Sequence, residues 1–302
     1  MSGQKFVAVV NPAAGGGRCG KQSPRVIGDL RASGLDIEVL ETTHAGHGIE
    51  LARAKYREGV RGFIGVGGDG TGYEIVNGLF PEASEPGAER PTLGFLPLGT
   101  GNSFLRDFTT DGAAHAIAAL KEGRRRPIDV IRVDHRDGVL HYINLMSIGF
   151  VADVGAVTNR RFKRFGELGY VFGVVTKTAV LRHASFPMSV DGGETDYGPV
   201  TFVSFNNSRF TGGKMMMAPN ANPSDGLADL IRVGKMGRFT LLGTFPKIFK
   251  GTHIEHPAVT QSQIRRVEFF GHEPIDAMID GEVLPIVPKT LTVLPSVLEV
   301  AA

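Results

Sequence analysis

The sequence predicts a two-domain α/β protein. A doubly wound, parallel α/β domain spans about residues 1–128, and a β-rich, antiparallel, sandwich-like domain spans about 129–288. Three observations predict this. Strand and helix signals alternate through the first 130 residues, which is the pattern of a parallel sheet. Glycine-rich turns follow strand signals three times in that half. After Arg124-Arg125-Arg126-Pro127 the pattern changes to short strands separated by Gly, Pro, Asn and Asp, as in a mostly antiparallel β domain. A length of 302 residues fits two domains.

Taken in order, residues 6–10 form a short apolar run that ends at Asn11-Pro12 and reads as the first strand. Residues 24–33 read as a helix stopped by Gly34, and 35–40 as a strand. Helical periodicity runs through Ile49, Leu51, Ala52 and Ala54 over 48–58, followed by a strand over 62–66. A helix over 71–79 places Ile75, Val76 and Leu79 on one face. A polar loop over 81–91 leads to a strand at 92–96, and 113–120 is an alanine-rich helix. In the second half, strands are expected at 128–133, 139–146, 187–190, 200–205, 227–233, 264–270 and 277–279. The one long helix is expected at 166–182. There is no internal repeat and no low-complexity tract.

Bulk composition narrows the function. Apolar residues are 42% and charged residues 21%, as in ordinary globular domains. Net charge is +2, from 33 basic and 31 acidic residues, so nothing global argues for a nucleic-acid partner. Cys19 is the single cysteine, which excludes an internal disulfide and suits a reducing cytosol. The first ten residues lack the apolar core of a secretory signal, and no apolar stretch approaches the 18 or so residues of a spanning helix. The expectation is a cytoplasmic protein whose membrane contact is peripheral. Glycine stands out at 41 of 302, well above the roughly 7% average.

The chemistry concentrates in three turns: residues 11–17, then Gly67-Gly68-Asp69-Gly70-Thr71, then Pro97-Leu98-Gly99-Thr100-Gly101-Asn102. Ligands of open parallel sheets bind outside the carboxyl ends of the strands. Glycine lets backbone N–H groups approach a phosphate, and a helix N-terminus adds partial positive charge. One such turn is more often only a turn; three at three strand ends converge on one crevice. Gly15 to Lys21 fits the start of a P-loop, but Gln22 stands where Ser or Thr would hold Mg²⁺, and Ser23 is one position late. The first turn lacks G-x-G-x-x-G, which disfavours a Rossmann oxidoreductase. His44, His47, His253 and His256 make no zinc spacing with Cys19 and read as surface or cleft residues.

Several motifs resemble one family. Gly68-Asp69-Gly70-Thr71 with Glu74 looks like the GGDGT-x-x-E signature of the diacylglycerol-kinase catalytic domain. Residues 97–104 resemble its P-x-G-T-x-N-D-F stretch, and Asn11-Pro12 its opening N-P-x-x-G. Thr42 and Thr43 resemble its threonine at the second strand. Gly212-Gly213 through Pro219 to Asp225-Gly226-Leu227 is similar to its G-G-x-x-x-x-P…D-G-L run, and Asp280-Gly281-Glu282 to its late D-G-E. The motifs keep family order from residue 11 to 282. Ser103 departs from the family's usual Asp, and Gly72-Tyr73 from its commoner pair.

The resemblance, to diacylglycerol and sphingosine kinases, implies an ATP-dependent lipid kinase. Phosphoryl transfer needs positioning, charge neutralisation and a group to take the hydroxyl proton. The resemblance implies that Gly67, Gly68, Asp69, Gly70, Thr71, Gly99, Thr100 and Asn102 hold the nucleotide, with Asn11, Thr42, Thr43, Glu74 and Asp280 in the same group. Glu282 ranks first as base and Asp69 second. Asp-Gly is a common turn pair and occurs at 69, 111, 137, 191, 225 and 280, so only the family match lifts three of these above plain turns. The resemblance also implies a structural Mg²⁺ held by the Asp225 carboxylate with backbone oxygens of Asn222 and Leu227, a lipid entering between the domains, and residues 289–302 packing back on the first domain. Asp153, in a stretch similar to sphingosine kinases, would face the lipid's polar head; the plainer alternative is a helix cap. The Phe-interleaved basic run 160–164 could lie on an anionic membrane, and Met215-Met216-Met217 could line a lipid pocket; a solvated helix face and a buried strand are the plainer alternatives. A homodimer is left open. The competing readings are a kinase of NAD or another small molecule, and a non-catalytic nucleotide- or lipid-binding protein.

Overall fold

The computed structural model describes residues 5–99, 101–109, 111–158 and 166–302. The chain divides into two compact units: residues up to Ile128 together with Ser296–Ala302, and Asp129–Pro295.

In the first unit, four strands alternate with four helices: β1 (Phe6–Val10), α1 (Arg18–Ala32), β2 (Ile37–Glu41), α2 (His47–Arg57), β3 (Gly62–Gly67), α3 (Asp69–Leu79), β4 (Thr92–Pro97) and α4 (Ala113–Glu122). The strands pair in parallel in the order β2-β1-β3-β4, with Phe6 opposite Ile37 and Gly62, and Gly62 opposite Thr92. Every residue of β1 and β3 is buried. Strands covered on both faces carry near-continuous apolar runs, and FVAVV and GFIGVG are such runs. The core joins Phe6, Ile64, Val66 and Leu96 to Ile27 and Leu30 of α1 and Leu120 of α4. The doubly wound α/β expectation holds here.

α1 begins six residues before the expected start, with Pro24 inside it. Cys19, Ser23, Ile27 and Leu30 are all buried on one face. That shared face carries the helix past the proline's missing N–H.

The second unit is β-rich. Its elements are β5 (Arg126–His135, starting in the first unit), β6 (Gly138–Tyr142), β7 (Leu145–Gly149), α5 (Phe150–Val157), α6 (Gly166–Thr178), β8 (Ala184–Ser185), β9 (Met188–Val190), β10 (Pro199–Asn206), β11 (Phe210–Thr211), β12 (Met215–Met216), β13 (Ala228–Gly234), α7 (Arg238–Thr244), β14 (Val259–Ile264), β15 (Arg266–Phe269), β16 (Ile275–Ile279), β17 (Glu282–Ile286) and β18 (Pro288–Val300). One antiparallel sheet runs β14-β13-β10-β7-β16-β17. Another set pairs β18 with β15 and β15 with β9. The end of β18, at Glu299 and Val300, returns to the first unit and pairs in parallel with Thr92 and Leu93.

Three differences from the sequence reading have physical reasons. The expected strand 139–146 is two strands, because the backbone turns at Ile143 and Asn144 to give their N–H groups to the Asp280 carboxylate. The expected strand 264–270 ends one strand, β14, and forms another, β15, in different sheets. The long helix stops at Thr178, whose hydroxyl donates to the Val174 carbonyl, while α5 was foreshadowed only by the helix-cap alternative for Asp153.

Candidate active site

All three glycine turns lie in the first unit at the carboxyl ends of β1, β3 and β4. They are bonded to one another. Asn11 N–H donates to Val66 O at 3.0 Å, and Gly99 N–H donates to Gly67 O at 2.7 Å. Asp69 N–H donates to Gly101 O at 3.1 Å. Glycine is required where two backbones approach this closely: a Cβ on Gly99 would lie 2.6 Å from Gly68 N. Gly15 has φ +61° and faces Leu98 O. Its neighbour Arg18 donates from its guanidinium to Gly99 O at 3.4 Å. The first turn is thereby tied to the third, and a cation stands among them.

Asp69 opens α3, where a negative side chain favours the helix N-terminus. Its two oxygens accept the Ser103 N–H at 2.9 and 3.0 Å, and Phe104 N–H approaches at 3.5 Å. Burial pushes its carboxyl above the usual value, against the pull of Ser103, Phe104 and Arg106. Thr71 is buried behind Gly67, and Asn102 donates to Gly99 O at 3.4 Å. An open cleft beside the third turn is lined by Pro97, Asn102, Leu105, Arg106 and Thr109. Thr100 lies outside the described residues.

Glu74 acts at one remove. Its carboxylate accepts Gly46 N–H at 2.8 Å and Gly48 N–H at 2.9 Å, fastening the start of α2 to α3. Those amides are among the orphan donors at a helix start. This anchors the loop that carries Thr42, bonded to Val10 O through its N–H, and Thr43, whose N–H donates to His47 Nδ1. The His44 and His47 rings stack 4.8 Å apart.

The remaining expected residues lie in the second unit. The buried Asp280 carboxylate accepts three backbone N–H groups, from Ile143 at 3.1 Å, Asn144 at 3.1 Å and Leu145 at 2.9 Å. It holds backbone, with φ +47° at the hairpin between β16 and β17. Glu282, two residues on, is exposed at the first position of β17, paired with Ile279. Asp225 is exposed and accepts Leu227 N–H at 3.0 Å and Gln263 Nε2 at 3.3 Å; Asn222 Oδ1 accepts Ser224 N–H. Among the described residues no cluster of three or more His, Cys, Asp or Glu could hold a metal. The 222–227 turn offers one carboxylate plus carbonyl oxygens, a donor set that suits Mg²⁺ keeping most of its water. Asp153, in the first turn of α5, stands 3.8 Å from Lys177 of α6.

The second unit also contains a half-open apolar cavity. Phe150, Val174, Phe202, Val233, Leu241 and Phe245 line it. Met217 lines it too, whereas Met215 is buried in the core and Met216 is half-exposed in β12. His253, expected at a surface or cleft, is instead buried at this cavity, with Nε2 3.0 Å from Met217 O; burial lowers its pKa. The basic run 160–164 lies outside the described residues. Sequence reasoning missed Arg18, Arg106 and the cavity. Arg18 could have been found as the first cation after the first glycine turn. The cavity is lined from distant elements, so no local signal marks it.

Comparison with known proteins adds the following. Residues 5–133 match the diacylglycerol kinase catalytic domain family, and residues 144–302 match the YegS C-terminal NAD kinase beta sandwich-like domain. The chain is 30% identical over 301 residues to a diacylglycerol kinase of Mycobacterium tuberculosis, covering 98% of this chain and 94% of that protein. It is 26% identical over 277 residues to a diacylglycerol kinase of Staphylococcus carnosus, covering 91% and 87%. A crystal structure of a diacylglycerol kinase from Bacillus anthracis superposes with a TM-score of 0.73 at 21% identity, covering 100% of this chain and 97% of that one, a likeness of fold.

Proposed function

The chain belongs to the diacylglycerol kinase family, and on that premise we propose that it moves the γ-phosphoryl group of ATP to the free hydroxyl of a diacylglycerol. It is a lipid kinase, a phosphotransferase with an alcohol acceptor. The nucleotide phosphates are assigned to the bonded glycine turns of the first unit, with Gly67, Gly68, Gly70, Thr71, Gly99, Asn11 and Asn102 supplying close backbone and polar groups, and Thr100 assigned by motif. Arg18 adds positive charge there. Asp69 positions the third turn against the second, and Glu74 positions the loop of Thr42 and Thr43.

Glu282 is assigned as the base that takes the acceptor hydroxyl's proton. Its exposed carboxylate supports this, because a base must reach that proton, whereas the carboxylates of Asp69 and Asp280 are committed to backbone amides. Mg²⁺, when bound with the nucleotide, would neutralise charge on its phosphates. Asp225, with carbonyl oxygens of Asn222 and Leu227, is assigned a second, structural Mg²⁺.

The observation that carries the acceptor's chemistry is the apolar cavity. It takes hydrocarbon and presents almost nothing polar besides Thr244 and His253. A sphingoid base or ceramide would fit its walls equally well. The ion pair of Asp153 with Lys177 favours diacylglycerol, because that carboxylate is already matched and leaves less for a sphingoid amine. No helix of the described residues is long and apolar enough to cross a membrane, and the proposal places the enzyme in the cytoplasm with peripheral membrane association.

The test is a radiolabelled-ATP assay with Mg²⁺ against mixed micelles carrying diacylglycerol, sphingosine, ceramide or no lipid, with NAD as a separate acceptor. Label in phosphatidic acid supports the reading. Label in a sphingoid product transfers it to the other acceptor, and label only in NADP overturns it.

A further inference from the structure

α7 runs directly into a 3-10 turn, Phe245–Phe249. One side of this segment faces inward, where Leu241, Thr244 and Ile248 are buried and line the apolar cavity. The other side is bare. Phe239 is 90% exposed, Phe249 39% and Leu242 36%. α6 packs against α7 and repeats the arrangement, with Val174 at the cavity while Phe172 and Val175 are 54% and 53% exposed. Among the described residues eight large apolar side chains are exposed, and these are five of them. Exposed apolar side chains gathered in one region mark an interaction surface.

Charge identifies the partner. From residue 230 to 254 there is no Asp or Glu, yet there are Arg232, Lys235, Arg238, Lys247 and Lys250. Arg232 is paired with Asp196; the other four form no ion pair with a described residue. Residues 168–190 likewise carry no acid; of their cations Lys177 is paired with Asp153 of α5, and Arg182 forms no ion pair with a described residue. In a chain whose net charge is only +2, this face is locally and strongly basic. Aromatic side chains flanked by cations suit the boundary between anionic headgroups and acyl chains. The patch also reaches the cavity without a polar break: the exposed Phe249 ring packs edge-on against Phe245, 6.0 Å between centroids, and Phe245 lines the cavity wall.

We infer that the outer face of α6, α7 and residues 245–250 docks on an anionic phospholipid membrane, so that the cavity's wall helices lie on the bilayer that supplies its ligand. The choice of a lipid surface rests on the lipid-kinase reading; the basic apolar face itself does not. This surface is separate from the 160–164 run.

The test is co-sedimentation of the full chain with vesicles of phosphatidylcholine alone or mixed with phosphatidylglycerol, without ATP or acceptor. Each cation near an anionic surface contributes about fivefold in affinity, and salt screens it. Wild type should bind the anionic vesicles at least about tenfold tighter than the neutral ones, less so at high salt. Lys247→Glu with Lys250→Glu should remove most of that preference, and Phe239→Glu should weaken binding about tenfold. Phe239 is almost fully exposed, so its substitution should leave thermal unfolding unchanged. Phe270→Glu, at an exposed aromatic beyond β15, should bind like wild type. Phosphorylation of a short-chain acceptor dissolved below its micelle threshold should be unchanged in Phe239→Glu. Equal binding to both vesicle types, wild-type binding by Phe239→Glu, or self-association lost in Phe239→Glu with vesicle binding intact would overturn the inference. Anionic-vesicle binding that depends on Phe239 supports the docking face even if no lipid is phosphorylated, an outcome that sinks only the kinase reading.

Discussion

Ser103 donates its N–H to both carboxylate oxygens of Asp69, at 2.9 and 3.0 Å, and so fastens the turn after β4 to the start of α3. A carboxylate given over to a neighbouring turn is a positioning group. Asp69→Ala leaves a buried amide without its acceptor, which costs about 1–3 kcal/mol. Asp69→Asn keeps an acceptor oxygen and recovers part of it. The same bond holds the phosphate turns together, so KM for nucleotide should rise in Asp69→Ala.

The Asp69 bond also carries a pH signature. Burial raises this carboxyl above its ordinary 3.8, more than Ser103, Phe104 and Arg106 lower it. A folded value above the unfolded one contributes stability that is complete below the unfolded value and lost as pH rises through the folded value. The stability advantage of wild type over Asp69→Asn should therefore shrink as pH rises above 3.8. Urea unfolding of both proteins across that range checks it, and a constant difference would refute it.

Asp280 is the corresponding anchor in the second unit. Its carboxylate satisfies three buried amides where β6 gives way to β7. Asp280→Ala leaves those donors unmet, for a loss of about 3 kcal/mol or more. Asp280→Asn tolerates the left-handed backbone at φ +47° and should lose less. Urea midpoints rank the three proteins, and an alanine variant as stable as wild type would show that water replaces the carboxylate.

What was legible in the sequence was local. The glycine turns and the strands feeding them follow from neighbouring residues, and β1 and β3 read as apolar runs because both their faces are covered. The clamps were not legible. Glu74 meets Gly46, and Asp280 meets Asn144, across long stretches of chain, and nothing in either residue's neighbours announces an amide partner. The turn at Ile143-Asn144 hid the break between β6 and β7 for the same reason. α7 was missed because seven residues carry too short a period to recognise. Prolines at 285, 288 and 295 broke up the pattern of β17 and β18.

His141 predicts an acid-side loss of stability. It is buried on β6, and burial, with Arg132 adding to it and Asp134 opposing it, lowers its pKa to about 4 from 6.5. A histidine kept neutral in the fold but protonated in the unfolded chain costs stability as pH falls from 6.5 toward about 4. At 1.36 kcal/mol per unit, the loss over that window is roughly 3 kcal/mol. His141→Gln should flatten this part of the stability-versus-pH curve even if the variant is less stable throughout. An unchanged slope would assign the acid loss to other groups.

Glu282 and Asp280 stand two residues apart in one hairpin and predict opposite phenotypes. Asp280 is buried against three amides, whereas Glu282 is exposed with its backbone paired to Ile279. Removing an exposed carboxylate normally shifts stability by no more than about 0.5 kcal/mol. Removing a general base costs roughly 10²–10⁴ in rate. Glu282→Gln should therefore unfold at the wild-type urea midpoint, bind ATP normally and lose turnover by that factor, with the fall in kcat rather than in nucleotide KM. A structural residue would show the reverse: a shifted midpoint with activity falling in proportion. Near-normal kcat in Glu282→Gln would remove Glu282 as the base. Asp69 would then be the remaining candidate, despite its bonds to Ser103, and the kcat of Asp69→Asn, measured at a pH where the variant is fully folded, would decide its part in proton transfer.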